Sequence, residues 1–215
     1  PQTALQSYNQ LAWWKGFQET ADEYVTIVGN STTYTADSVS FWFITSSSEE
    51  QVLLGGFMNI TSYGSIVIGG DSDAGKISCA HNTGATNKCE TDTTWHDGEW
   101  HHCTVIKLAS DASPWFDIYV DGEKQAVTAG SGAHRVSDKT LVGARDSSGY
   151  EFQLDGTITE ISAWNVVLTQ AEVNELYNDG KALNALEHSS YISSAGNLEG
   201  YWRNNGLATW TNLKD

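Results

Sequence analysis

Residues 116–124 read Phe116-Asp117-Ile118-Tyr119-Val120-Asp121-Gly122-Glu123-Lys124. Phe116, Ile118 and Val120 alternate with Asp117 and Tyr119, the two-residue period of a strand with one face against a core. Asp121-Gly122 then supplies residues that tolerate the positive backbone angles of a type I′ hairpin turn, and a second strand starts at Lys124. The same alternation recurs at Ser38-Val39-Ser40-Phe41-Trp42-Phe43 and along 157–164. Further strands are predicted over 24–28, 51–57, 65–68, 76–80, 99–108, 139–143 and 150–154, with partners at 38–44, 115–121 and 124–127. Gly55-Gly56, Gly69-Gly70 and Gly130-Ser131-Gly132 punctuate the turns between them. Strands this short, separated by turn signals at this spacing, predict an all-β fold: a two-sheet antiparallel sandwich.

Composition agrees. Of 215 residues 40% are hydrophobic and 18% charged, the balance of a folded domain with a real core. Twenty glycines against two prolines, with nine Trp and nine Tyr, suit many turns and aromatic-rich strands. Twenty-seven acidic residues against eleven basic ones give a formal charge of -16. That charge disfavours a nucleic-acid backbone and an anionic membrane surface as partners. No apolar run is long enough to span a bilayer. An acidic, soluble surface fits an extracellular, saline or virion setting, and equally fits ordinary solvation.

One helix interrupts the strands. Thr169-Gln170-Ala171-Glu172 has capping-box spacing, Val173, Leu176 and Tyr177 form an apolar stripe, and Gly180 is the predicted stop. The helix is expected to pack over one end of the sandwich. The chain opens at Pro1, and its single methionine is Met58, so it reads as a piece of a longer polypeptide. Residues 1–16 read as an N-terminal strand or linker, 17–183 as the domain, and 184–215 as a tail with one strand near Leu198-Glu199-Gly200-Tyr201-Trp202, continuing into or packing on a neighbouring unit.

Three cysteines, Cys79, Cys89 and Cys103, allow three pairings. Closing the polar loop between Cys79 and Cys89 would stabilise by roughly 2–3 kcal/mol in an oxidising compartment, and this pairing is favoured over three buried thiols. Two glycosylation triplets, Asn30-Ser31-Thr32 and Asn59-Ile60-Thr61, matter only in a eukaryotic secretory route.

Five segments in order carry a family resemblance. These are 19–27 with 38–43, then Asp97-Gly98-Glu99-Trp100-His101-His102, then 117–122, then Leu154-Asp155-Gly156-Thr157-Ile158-Thr159-Glu160-Ile161 with Ala163-Trp164-Asn165, then 168–180. Over roughly residues 17–183 the chain resembles a laminin G-like, concanavalin A-type jelly roll with one short C-terminal helix. The resemblance implies binding of glycans or proteins outside cells, and membership of phage and marine bacterial surface proteins.

Four kinds of site follow. Some jelly rolls of this superfamily hydrolyse glycans with paired carboxylates on one strand. Here Glu160 stands between Thr159 and Ile161 with no second carboxylate in the run, so an enzyme is not expected. His101 and His102 are neighbours on a strand, point to opposite faces and cannot share one metal ion; His102 reads as a packed residue beside Trp100. Relatives often bind calcium, and Asp71, Asp73 and Asp146 offer loop oxygens, although Thr159 replaces the family's aspartate before the closing-strand glutamate. Finally, strand parity puts Trp42, Trp115, Tyr119 and Trp164 on an outer face among Ser, Asp and Glu, where rings could stack on sugars. Loops, the tail or a neighbouring subunit could instead cover them.

The expected function is a non-enzymatic recognition or adhesion module of an extracellular, cell-surface or virion-associated protein. Its partner would be a surface glycan or glycoprotein, with calcium as the one cofactor to consider. The alternative is a structural subunit or decoration of a fibre, sheath or capsid that meets neighbouring subunits through its aromatics.

Overall fold

The structure, a computed structural model, describes residues 24–28, 36–58, 64–69, 74–80, 88–108, 114–130, 137, 139–146, 150–185 and 197–202. In chain order the strands are β1 Val25–Val28, β2 Ser38–Ile44, β3 Gln51–Gly55, β4 Ile66–Ile68, β5 Lys76–Ala80, β6 Lys88–Thr94, β7 His101–Lys107 and β8 Phe116–Val120. They continue with β9 Glu123–Lys124, β10 Val127–Gly130, β11 Thr140–Val142, β12 Arg145–Asp146, β13 Tyr150–Glu151 and β14 Thr157–Trp164. Helix α1, Gln170–Tyr177, is followed by β15, Leu198–Trp202.

Two antiparallel sheets form the sandwich. One has seven strands in the order β1-β11-β3-β4-β5-β6-β10, and the other six in the order β15-β14-β2-β7-β8-β9. The core between them holds Val39, Phe41 and Phe43 of β2, Ile66 and Ile68 of β4, and Phe116, Ile118 and Val120 of β8. These are the alternate positions of their strands, so period-two patterning translated directly into the inner faces.

Strand β6 was not expected. Its sequence Lys88-Cys89-Glu90-Thr91-Asp92-Thr93-Thr94 is polar, because its inward positions are Cys89 and Thr91 and its outward ones are charged. The 124–127 strand divides into β9 and β10, which join different sheets. The tail strand β15 does not leave the domain: it pairs with β14, and Trp202 enters the core.

Along β14, parity breaks once. Ile158 and Ile161 both face the core although they are three residues apart, which a regular strand forbids. Glu160 resolves the conflict. Its φ is +49°, and the register with β2 shifts between Thr159 and Ser162, so Glu160 is the extra residue of a β-bulge.

Helix α1 starts as expected. The Thr169 side chain accepts from the Glu172 N–H, and the Glu172 carboxylate accepts from the Thr169 N–H at 2.7 Å. Its end differs from the expected stop at Gly180. Asn178 takes the left-handed C-cap with φ +50°, and Gly180 is the last residue of a short 3-10 turn, Asn178–Gly180. Asparagine is the commonest non-glycine residue to tolerate that conformation.

Candidate functional site

The four aromatics expected to form a platform are covered. Trp42 is 1% exposed, Trp164 0%, Tyr119 7% and Trp115 8%. Parity placed three of them on the correct face, the outer side of the six-stranded sheet, but α1 lies over that side. Val173 and Leu176 of the helix, with Leu168 and Ala185, pack on Trp164, Tyr119 and Ile106. Tyr177 stacks on Trp42 with ring centroids 5.9 Å apart. Trp115, expected on the same outer face, precedes β8, escapes the strand's alternation and joins the core. Rings this deeply buried present no face to a sugar, and the expected platform is corrected accordingly.

Beneath the helix the sheet is polar. Register aligns Tyr201, Ser162, Ser40, Thr104 and Tyr119 across five strands. His102, in the next row beside Trp42, has its Nε2 2.7 Å from the Ser40 hydroxyl, while its Nδ1 lacks a hydrogen-bond partner. Burial pushes the His102 pKa down to about 3, against an opposing pull from Asp121, so the ring is neutral. The rings of Trp42 and Tyr177 pack beside it.

The cysteines are three buried free thiols, so the expected Cys79–Cys89 bond is not formed in this structure. The pairing nonetheless has a register: Cys79 sits directly opposite Cys89 across β5 and β6. Burial is the main cause that pushes the Cys89 thiol up to about 12, and it raises Cys79 and Cys103 too. Of the calcium candidates, Asp71 and Asp73 lie outside the described residues, and Asp146 lies in β12 opposite Tyr150. Among the described residues no cluster of three or more His, Cys, Asp or Glu could hold a metal ion.

A different site emerges at one end of the sandwich, in the loop 95–100 that joins β6 to β7. Among the described tryptophans only Trp95 and Trp100 are not buried. The loop is pinned on four sides. The Trp95 N–H donates to the Gly75 carbonyl at 2.7 Å, and the Gly98 N–H to the Thr45 carbonyl at 3.0 Å. The His96 ring lies so close over Gly75 that a Cβ there would meet its Nδ1 at 1.7 Å. Asp97 Oδ1 accepts from the Glu99 N–H at 2.9 Å, the Asx turn that the Asp-Gly pair favours.

The fourth anchor is His101. Its Nε2 is 3.0 Å from Asp97 Oδ1 and its Nδ1 2.9 Å from Asp121 Oδ2, while the other Asp121 oxygen accepts from the His102 N–H. The edge of the Trp95–His101 pair is T-shaped, with ring centroids 5.0 Å apart, and Phe43 closes the inner side. Burial acts to raise the Asp97 pKa, but the Glu99 amide and the His101 ring outweigh it and hold the carboxyl below its ordinary value. With its side chain 56% exposed, Asp97 still faces solvent. Asp97 and Glu99 are exposed, Trp100 and His96 are partly exposed, Trp95 packs its ring on the core and on His101, and exposed Ser46 lies beside Gly98. In the sequence, 97–102 stands out as a segment of the family resemblance and His101 and His102 as a metal candidate. Its Asp97-Gly98 turn was the signal that the flanking tryptophans lie at a rim.

Residues 19–174 match the family described as Laminin_G_3, of the concanavalin A-like lectin/glucanases superfamily. The chain belongs to this family. The laminin G-like fold is shared with solved structures at low identity. A Bacteroides ovatus protein described as carbohydrate-binding aligns over 91% of this chain at TM-score 0.59 and 15% identity. The match spans only 52% of that protein, so this laminin G-like chain corresponds to about half of it. A heptameric pentraxin from Limulus polyphemus aligns over 72% of this chain and 74% of its own, at TM-score 0.51 and 14% identity. No curated protein matches the sequence. Among the described residues, no helix of this laminin G-like chain is long and apolar enough to cross a membrane.

Proposed function

We propose that this chain is a non-catalytic glycan-recognition module, carried on an extracellular or virion-associated parent, with its site on the 95–100 rim. The observation that carries the proposal is the partial exposure of Trp100 on the loop that also bears Asp97 and His96, while Trp42, Trp115, Trp164 and Trp202 are buried. A partly exposed indole covers the C–H face of a sugar, and adjacent carboxylate and imidazole groups bond its hydroxyls. Family membership and the Bacteroides protein's description support the same reading. The non-catalytic part is supported by the commitments of the buried carboxylates: Glu172 closes the helix cap, and Glu160 accepts from the Tyr201 hydroxyl.

The test is an immobilised glycan array probed with residues 1–215, once with calcium and once with a chelator. Binding that Trp100→Ala reduces by at least about tenfold supports the rim site, since a stacked aromatic anchor contributes on that scale. Loss of binding with the chelator adds calcium to the site. Silence in both conditions overturns the recognition reading in favour of a structural subunit.

A further inference from the structure

His101 holds two carboxylates from two different chain segments, one on each ring nitrogen. A neutral imidazole has one N–H and one lone pair, so it can donate to only one of them. The other nitrogen would then turn its lone pair on a carboxylate oxygen about 3 Å away. Only the doubly protonated ring satisfies both distances. We propose that His101, as an imidazolium, is the clip that fastens the 95–100 recognition loop to the Asp121-Gly122 hairpin, so that the rim is assembled while the ring is protonated and loosens when it is not.

Asp97 faces the ring from the loop and Asp121 from the hairpin, and the Trp95 and Phe43 rings cover its remaining sides. His96 precedes it on the loop over Gly75, and Glu99 is exposed to solvent. His102 turns to the opposite face, stays neutral and adds no charge. Lys124, on the strand after the hairpin, is drawn to Asp117 at 2.7 Å. The hairpin is itself braced by α1, because Gln170 Nε2 donates to the Gly122 carbonyl at 2.8 Å. Opening the clip therefore frees the Asp97 end of the loop from the hairpin, while Trp95 and Gly98 keep their backbone anchors and the hairpin stays held by α1.

The role in ligand capture rests on the recognition reading above, but the clip does not, and two readouts separate them. Long-range proton–nitrogen spectra of the full chain, taken from about pH 5 to about pH 9, report the protons on each imidazole. His101 should carry two at the acidic end. A single-proton ring at about pH 5 overturns the clip. Amide protection of residues 96–100 should fall about tenfold across the same transition, the worth of one charge-assisted hydrogen bond, and protection that stays level overturns the loop's dependence on it. The glycan array run at about pH 5.5 and about pH 8.5 then addresses capture. Weaker binding at the alkaline pH supports the role, and equal binding overturns it. Silence on the array at both pH values with a titrating clip removes the recognition reading alone.

Discussion

The dependence of the rim on single residues is clearest at Gly75. It lies in the turn before β5 with φ +74°, a conformation that side chains rarely adopt, and its missing Cβ is where His96 Nδ1 sits. Gly75→Ala is expected to expel the His96 ring and cost about 1–2 kcal/mol or more, visible as a lower urea midpoint and shifted resonances in 95–100. Glycine freedom matters here because backbone and ring compete for the same volume. The composition already marked glycines as turn residues, but only the fold shows that this one makes room for an imidazole. The same holds for Asp121. Its turn role is plain from the Asp-Gly pair, whereas its contacts with the His101 ring and the His102 N–H require the hairpin to fold back on β7.

At the scale of elements, α1 is a short helix with a local start signal and a tertiary purpose. Thr169→Ala removes the cap hydroxyl and should lower stability by about 1 kcal/mol in denaturant titration. Leu176→Ala leaves a void over the sheet and should cost roughly 2–4 kcal/mol, with a changed near-ultraviolet signal from the packed rings. The β5–β6 pair yields a chemical prediction. With Cys79, Cys89 and Cys103 buried and their thiols raised, thiol reagents near pH 8 should label none of them in the folded chain and all three on denaturation. Labelling of Cys103 alone in unreduced, denatured protein would show that Cys79 and Cys89 had joined. Most elements were readable because alternation and capping are properties of a few consecutive residues. Strand β6 was not, since a strand whose inward positions are Cys89 and Thr91 has no apolar alternation to read.

For the molecule as a whole, acid stability follows from the layer under α1. His102 is neutral when folded, with its pKa down at about 3, and it titrates near its ordinary value when unfolded. The folded state therefore binds fewer protons over that interval, so this group's stabilisation is full above about pH 6.5 and is lost as pH falls towards 3. Urea unfolding midpoints should decline over that window, and His102→Asn should flatten the decline while lowering stability at neutral pH. The sandwich, the inner faces and the helix were determined by the sequence itself, because hydrophobic period, turn chemistry and caps act over short chain distances. Even the outer-face assignment of Trp42, Tyr119 and Trp164 followed from parity. Which outer rings meet solvent was decided only by the tertiary structure. Exposure depends on what lands on a face, and α1 and β15 reach the six-stranded sheet from far along the chain. The union of Asp97, His101 and Asp121 is likewise tertiary, for a hairpin and a loop must meet before one imidazole can hold two carboxylates.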